Sequence, residues 1–480
     1  MNEYNDNVNC GNISKKVYLV EVLTSIIVIP ISLFCSKDLV YKNLSVLPIA
    51  FFIFMILFSN IFIKPKYNYG IIFYFSNAYI FARYVITPIS IIMNPKVFIQ
   101  GPDPNMYSIN MSFILMIYEL LCVFITIYIA VNTRIKLKRK EAKKKYSLFK
   151  NDIVIMIFLV ITLLILSKFP NSIIPSNFFA INEKHSEIVF NTKLDGAIEI
   201  LSQMFKCVGF MFGLKIIEKI MNKNRFICGL CVLLVVIVFL GLFTGTSRIT
   251  IIIMACAGIK VAGTLFPKYK KKFISVLLVV LSIAIINISL YKFSWIVKDS
   301  MNPLEDLIKF MSGQFQAYFS GPRLVAQSID MKLIFKNSIS IETLINDFFG
   351  SVPYISNFIN QSDRINIYFN MYNYKYTSSP LIMPLIGIGY NYFGVILSPI
   401  FTIICEYIVM RLDYIVCEKE KRLEFIFIYI YLGCRLSMCM GTNTQSLIYS
   451  FLNPVIPLYI LVLINKKISL RNKLKTYMIN

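Results

Sequence analysis

Arg248 follows a short predicted turn, GTSR, and stands in the first turn of an apolar segment that Thr246 or Ser247 can cap. A cation at a helix N-terminus opposes the helix dipole, so its presence there needs a reason. Free backbone N–H groups and a guanidinium together form a binding site for a phosphate group. We therefore predict an anion site at Arg248; the alternative is a side chain that reaches the lipid head groups.

Two further arginines lie in polar segments where they can meet a ligand. Arg323 comes directly after Gly321–Pro322, a pair that interrupts a helix, and Arg364 lies in the segment NQSDRINIY. Guanidinium groups form bidentate hydrogen bonds with phosphates and carboxylates. Arg323 is predicted to bind a second phosphate or a sugar acid, whereas Arg364 is either a ligand contact or a solvated charge.

Acid–base chemistry would have to come from carboxylates or from the single histidine. Glu305 and Asp306 are candidate general bases in a predicted helix outside the membrane, and His185 is a further candidate in another polar loop. Four other carboxylates between residues 296 and 380 are also possible general bases: Asp330, Glu342, Asp347 and Asp363. One histidine in 480 residues argues against a His-rich metal site, and no HExxH, Walker or dinucleotide-binding motif occurs. We predict no metal and no cofactor.

Tyrosines and intramembrane arginines complete the candidate contacts. Tyr372 and Tyr374 lie in YFNMYNYKYTSSP, where aromatic faces suit sugar rings; the alternative is the tyrosine belt at a membrane interface. Arg83 and Arg435 fall within apolar segments, where a charge is costly and usually faces a polar interior. Other charged residues lie within or near the runs, namely Glu119, Asp195, Glu199, Lys206, Lys292 and Glu406, and the alternative is that some of these residues only pair with each other.

The composition indicates that these candidate residues belong to a membrane protein. The chain is 57% hydrophobic and 15% charged, with a mean hydropathy of +0.67. A soluble domain carries roughly 25% charged residues. The lipid bilayer must therefore be part of the solvent. The net charge of +24 is explained by basic loops that stay in the cytoplasm, so no nucleic-acid partner is predicted.

Continuous apolar runs predict an all-α polytopic fold with about twelve membrane-spanning helices. The runs cover residues 17–36, 44–63, 69–93, 111–132, 153–169, 194–217, 227–244, 249–265, 273–295, 381–410, 425–440 and 447–464. The tenth run is long enough to be tilted or broken. Most of the 49 Lys and Arg residues fall in alternate connecting segments, including RIKLKRKEAKKK. The positive-inside rule therefore places both termini in the cytoplasm.

Residues 296–380 form one long loop between the ninth and tenth runs, which this topology places outside the cell. Long loops are uncommon unless they have a function. Apolar residues recur at helical spacing after Asn302–Pro303, after the Gly321–Pro322 break and at 341–349, so we expect amphipathic helices against the membrane. The chain then divides into 1–295 with spans one to nine, the external loop 296–380, and 381–480 with three spans and a basic tail.

Three segments resemble motifs of the Wzy-type polysaccharide polymerases, within the wider group of O-antigen polymerases and ligases. GTSR, at 245–248, is similar to a Gly-x-Arg-type turn between two spans. FSGPRLVAQSI, at 319–329, resembles a Gly-Pro-x-x-Val-Ala segment of the large loop, and SSPLIMPLIGIGYNYFGVILSPI, at 378–400, resembles the return into the membrane. The related ligases use a histidine in the large loop, and this loop contains none.

The resemblance implies a metal-independent glycosyltransferase at the outer face of the bacterial cytoplasmic (inner) membrane. The donor would be a growing glycan on undecaprenyl diphosphate, and the acceptor would be one repeat unit on the same lipid. The product would be capsule, exopolysaccharide or O-antigen. A flippase and a chain-length regulator would be further partners.

Three other functions remain open on the residues alone. A repeat-unit flippase or other transporter would also have about twelve spans, although no internal repeat of the kind common in transporters is found. A ligase that moves finished glycan is chemically close. A polyprenyl-phosphate-dependent transferase of another type generally carries paired carboxylates in its first outer loop, where this chain has only Asp38.

Overall fold

A computed structural model describes most of the chain, and nearly all regular structure in this part is helical. The described residues are 2–35, 39–63, 68–93, 101–133, 146–169, 193–220, 225–242, 248–269, 271–275, 278–279, 282–283, 302–352, 355–374 and 381–479. Among them the only β-type pairing is an isolated bridge between Ser147 and Arg422. The predicted all-α class is confirmed.

The helices follow the predicted apolar runs closely. In the first part of the chain they are α1 (Asn2–Cys35), α2 (Val46–Leu57), α3 (Ser59–Ile63), α4 (Ile71–Phe81), α5 (Thr87–Met93), α6 (Met106–Asn132), α7 (Asp152–Leu166), α8 (Lys193–Ile220), α9 (Arg225–Gly241) and α10 (Arg248–Leu265). Later helices are α11 (Pro303–Phe319), α12 (Pro322–Phe335), α13 (Ile341–Phe349), α14 (Ile365–Tyr372), α15 (Leu385–Leu397), α16 (Ile400–Tyr414), α17 (Leu423–Leu436), α18 (Thr444–Ser450) and α19 (Ile456–Ile479). The run at 273–295 lies mostly outside the described residues; every other predicted run contains helix.

Among the described residues, four helices are long and apolar enough to cross a bilayer, as expected of an all-α membrane protein. They are Ile13–Cys35, Met106–Asn132, Gly196–Ile220 and Thr444–Ser469. Helices α15 and α16 pass the same test as a pair, with a bend of 101° between them. The tenth run is therefore broken at Pro399, which directly precedes α16, and at Gly394, whose φ of 75° suits a residue without Cβ.

The third predicted run is interrupted by a π-helical turn, Ala82–Ile86, between α4 and α5. A π turn inserts one residue into the helical repeat and frequently occurs at functional sites. Here it carries Arg83 within an otherwise apolar run. The predicted intramembrane charge therefore lies at an irregular point of the helix.

The long loop is helical, as predicted from its apolar spacing. Helix α11 begins after Asn302 with Pro303 at its first position, although the Asn302 side chain makes no capping hydrogen bond. It ends at Ser320 in the left-handed conformation, and α12 starts at Pro322. Helix α11 packs against α5, and α12 packs against α6. The two helices on either side of the first turn of the loop, α11 and α12, thus each pack against an apolar helix.

The chain forms two compact units, each discontinuous in sequence. Unit 1 comprises Met1–Lys140, Ile296–Cys417 and Gly433–Tyr449. Unit 2 comprises Glu141–Trp295, Glu418–Leu432 and Ser450–Asn480. In unit 1, α6 lies at the centre and packs against α2, α12 and α16. In unit 2, α8 packs against α7 and α9.

Candidate functional site

The turn between α11 and α12, residues 320–323, is held against the interrupted third run. The Tyr79 hydroxyl donates a hydrogen bond of 2.9 Å to the Tyr318 carbonyl oxygen. Gly321 lies so close to Thr87 that a Cβ at position 321 would stand 3.2 Å from its methyl group. The segment that resembles the polymerase loop motif therefore packs directly on the segment that carries Arg83.

Several polar atoms at this turn are buried and lack hydrogen-bond partners within the described part of the chain. They are both amide atoms of Gln316, the Ser320 hydroxyl and the Nε of Arg323. Gln316 and Ser320 are fully buried. Buried polar groups are nearly always satisfied, so such a cluster calls for water, an ion or a ligand group. The turn thus carries a cluster of buried polar groups at the edge of the apolar helices.

Arg323 has one ion-pair partner, and that partner faces solvent. Its Nη1 lies 2.7 Å from an oxygen of Asp103; the Arg323 side chain is 9% exposed, whereas that of Asp103 is 87% exposed. A ligand phosphate can replace an exposed carboxylate on a guanidinium without leaving a buried charge uncompensated. Asp103 therefore stands where an anionic ligand oxygen would compete.

Tyr372 lies beside this arginine, on α14. Its hydroxyl is 3.5 Å from Asp330, which also accepts hydrogen bonds from the Asn105 side chain at 2.7 Å and from the Ser108 hydroxyl at 2.6 Å. Burial and the neighbouring Asp330 raise the pKa of Tyr372 well above its ordinary value, and Arg323 partly opposes this. Tyr372 is thus a neutral hydrogen-bond donor within the electrostatic reach of Arg323.

Arg83 is fully buried and forms an ion pair with Glu119. Its Nη2 lies 3.0 Å from the carboxylate, which also accepts a hydrogen bond of 2.7 Å from Thr402. Within the described residues, Nε and Nη1 of Arg83 have no hydrogen-bond partner. The next residue, Tyr84, donates to the Met116 carbonyl oxygen at 2.8 Å. The pair ties the π turn to α6 and α16.

Arg364 is buried in the interior of the loop. Its Nη1 donates to Gln361 at 2.5 Å, and burial lowers its pKa, with Asp347 opposing this. Gly350, at the end of α13, allows this packing, because a Cβ there would lie 3.2 Å from the guanidinium carbon. The structure therefore places Arg364 between α13 and α14, away from the solvated position that its polar sequence allowed.

Asp347 is the carboxylate that faces Arg364. Burial raises its pKa to about 6, against hydrogen bonds from the Tyr392 hydroxyl at 2.6 Å and the Ile365 amide at 3.1 Å. It is 2% exposed. Asp347 links α13, α14 and α15, and it lies too deep to reach a substrate hydroxyl without movement.

The two carboxylates of α11 occupy a different environment. Lys309 lies 2.7 Å from Glu305 and 3.4 Å from Asp306, and Glu305 is 60% exposed. The hydrogen bond from Lys309 to Glu305 raises the pKa of the lysine. Both candidate bases are thus accessible to solvent, one helix away from the Arg323 turn.

The other predicted residues are placed as follows. Helix α10 begins at Arg248 as expected, while its side chain and the turn 243–247 lie outside the described residues, as does His185. Arg435 is half-buried in the last turn of α17. Tyr374 is 75% exposed and adopts a φ of 52°. Of the predicted contacts, Arg323 and Tyr372 are the pair that the structure brings together.

Sequence reasoning missed the counter-ion and the buried turn residues. Asp103 lies in the short connection before α6. No feature of its local sequence, GPDPN, predicts an ion pair with Arg323, which is more than two hundred residues away. Gln316 and Ser320 resemble ordinary polar positions of an amphipathic helix. Within the described residues, no group of three His, Cys, Asp or Glu side chains is arranged to hold a metal ion.

No family model, curated protein or solved structure matches this chain. The residues around Arg323 and the sequence motifs that surround them are therefore the indications of function that this chain offers.

Proposed function

We propose that this protein is a membrane glycosyltransferase that polymerises undecaprenyl-diphosphate-linked repeat units into surface polysaccharide. The proposal places about twelve spans in a bacterial cytoplasmic membrane, with both termini inside and the helices α11–α14 outside. The observation that carries it is the buried Arg323 turn, with its unpartnered polar atoms and a counter-ion that faces solvent.

The reaction needs cations where the leaving diphosphate develops charge. Arg323 stands in the first turn of α12, where the helix dipole also favours an anion. In this proposal a diphosphate oxygen replaces Asp103 on the guanidinium. Arg83 is a positioning residue, because its pair with Glu119 holds the π turn against which the Arg323 turn packs.

The chemistry is a single displacement at the donor sugar. An acceptor hydroxyl attacks the anomeric carbon, the bond from that carbon to the diphosphate oxygen breaks, and the hydroxyl proton passes to a base. The candidate bases Glu305 and Asp306 are accessible to solvent, but they lie at the opposite end of α11, about 20 Å along the helix from the Arg323 turn. Either one can take the proton only from an acceptor that extends along that helix. Both substrates are already activated as diphosphates, so the reaction needs no nucleotide.

The test is polymer formation from lipid-linked repeat units by the protein reconstituted in bilayers. Arg323→Ala should lower the rate roughly a hundred- to a thousand-fold, as loss of one oxyanion donor does. Arg323→Lys should recover part of the rate, since the charge survives while the bidentate fork is lost. The matched control is Lys336→Ala, an exposed cation at the other end of α12.

Near-normal polymerisation by Arg323→Ala, at normal protein levels in the membrane, would overturn the site. In cells, deletion of the gene should leave single repeat units on the outer face. Repeat units trapped on the inner face would favour a flippase, and normal-length polymer would exclude the polymerase function altogether.

A further inference from the structure

An apolar groove of about 300 Å³ runs between the C-terminal half of α6 and the first two turns of α16. It is lined by Thr126, Ile129, Ile403, Ile404, Tyr407 and Ile408. Ile129 and Ile404 are each about half exposed, at 50% and 51%. In a protein that crosses a bilayer, such a surface is covered by a hydrocarbon chain.

The two helices run in the same direction along this groove. Near the middle of α6, Glu119 accepts the hydrogen bond from Thr402 in the first turn of α16. Further on, Ile129 faces the same groove as Ile404 and Ile408. Both helices therefore end on the same side of the membrane, which is the side that the positive-inside rule assigns to the cytoplasm.

A cation stands at that end of the groove. Arg411 donates through Nε and Nη2 to the hydroxyl of Tyr407, at 2.9 and 2.5 Å, and its guanidinium lies 5.0 Å from the centre of the tyrosine ring. Tyr407 itself lines the groove. Within the described residues, Arg411 forms no ion pair, so its charge is not neutralised by a carboxylate. The Nη1 amino group stays available to a phosphate oxygen.

A second groove, along α7, provides a comparison. It has about 350 Å³ and is lined by Ile153, Met156, Ile157, Val160 and Ile161. The cations next to the start of α7 are Lys150, which is exposed, and Lys215 and Lys219, which are both paired with Asp152. This groove therefore offers hydrocarbon contact to a lipid, but none of the residues that line it holds a cation as Tyr407 holds Arg411.

We propose that the α6–α16 groove is a binding site for an anionic phospholipid, with one acyl chain in the groove and the phosphate on Arg411. An apolar trough that ends at a cation matches a molecule with an apolar chain and a negative head. Soluble phosphate lacks the chain, and a zwitterionic lipid adds a positive charge beside the arginine. Basic residues at the membrane surface commonly bind anionic head groups in this way.

Native mass spectrometry of the purified full chain tests the site, by titration with phosphatidylglycerol and with phosphatidylcholine of identical acyl chains. The wild type should prefer phosphatidylglycerol, and Arg411→Ala should lower this preference by about fivefold, the factor expected for one basic residue at a membrane surface. Arg411→Lys should keep most of the preference. Ile404→Trp, which fills the groove, should weaken binding of both lipids.

The matched control is Ile157→Trp in the α7 groove, which should leave the preference for phosphatidylglycerol unchanged. Equal preference in the wild type and in Arg411→Ala would overturn the assignment, as would loss of the preference in Ile157→Trp but not in Ile404→Trp. The protein is checked by its unfolding temperature in each variant, and a variant that does not fold is replaced by Arg411→Gln or Ile404→Phe.

Discussion

The two units of this protein treat charge differently. Within the described residues, unit 1 buries nine ionisable side chains of the Asp, Glu and Arg types, while unit 2 buries one. Those of unit 1 are Glu21, Arg83, Glu119, Arg323, Asp330, Asp347, Arg364, Glu406 and Asp413, and that of unit 2 is Glu424. Burial of a charge is costly, and intramembrane charge is usually functional. Unit 1 is therefore the part of the chain in which we expect the proposed chemistry.

The first prediction compares a buried ion pair of unit 1 with an exposed one of unit 2. Glu119→Ala leaves Arg83 buried without its partner and should lower the free energy of unfolding by about 3–5 kcal/mol. Asp152→Ala removes the partner of Lys215 and Lys219, which are partly exposed, and should cost less than about 1 kcal/mol. Chemical unfolding in detergent measures both. Equal losses would remove the distinction between the units.

The second prediction compares two glycines. A Cβ at Gly441 in unit 1 would overlap the Tyr79 hydroxyl and stand 2.7 Å from the Tyr318 carbonyl oxygen. Gly441→Ala should therefore destabilise by about 1–3 kcal/mol and shift the Arg323 turn. At Gly209 in unit 2 the nearest atom would be 4.0 Å away, so Gly209→Ala should be neutral or stabilising by up to about 1 kcal/mol. Thermal unfolding measures the difference, and a tolerated Gly441→Ala would contradict the close packing.

The third and smallest effect is a pH dependence of unit 1. The pKa of Asp347 is raised to about 6 by burial, from an ordinary value of 3.8. The folded state therefore binds more protons than the unfolded state between these values, and stability falls as the pH rises from about 4 to about 6. Protease cleavage of the loop helices should be slower at pH 5 than at pH 7.5. Asp347→Asn should remove this dependence, and a loop that is more resistant at pH 7.5 would reverse the sign.

Much of the loop could be predicted from the sequence because its signals are local. Pro303 and the Gly321–Pro322 break start α11 and α12, and the apolar spacing gives their length. The same reasoning placed an apolar helix at each run that the structure describes. A local signal also made Arg323 a candidate ligand contact, since it directly follows the helix-breaking pair Gly321–Pro322.

The partners of that arginine could not be predicted in the same way. Asp103 and Tyr372 meet Arg323 only after α12 packs against α6 and α14, and such packing leaves no local pattern in the chain. Arg364 shows the opposite failure. Its polar neighbours left a ligand contact and a solvated charge both open, whereas the structure buries Arg364 beside Gly350.

Binding of a polyprenyl diphosphate to the purified protein tests whether the Arg323 turn is a diphosphate site. Substitutions at two neighbouring residues should change the affinity in opposite directions. Arg323→Ala should weaken binding by about tenfold or more, since a charge-assisted contact is lost. Asp103→Asn should tighten binding by up to about fivefold, because the phosphate no longer competes with a carboxylate held by an exposed ion pair. Unchanged affinity in Arg323→Ala, or weaker binding by Asp103→Asn, would contradict a diphosphate site at this turn.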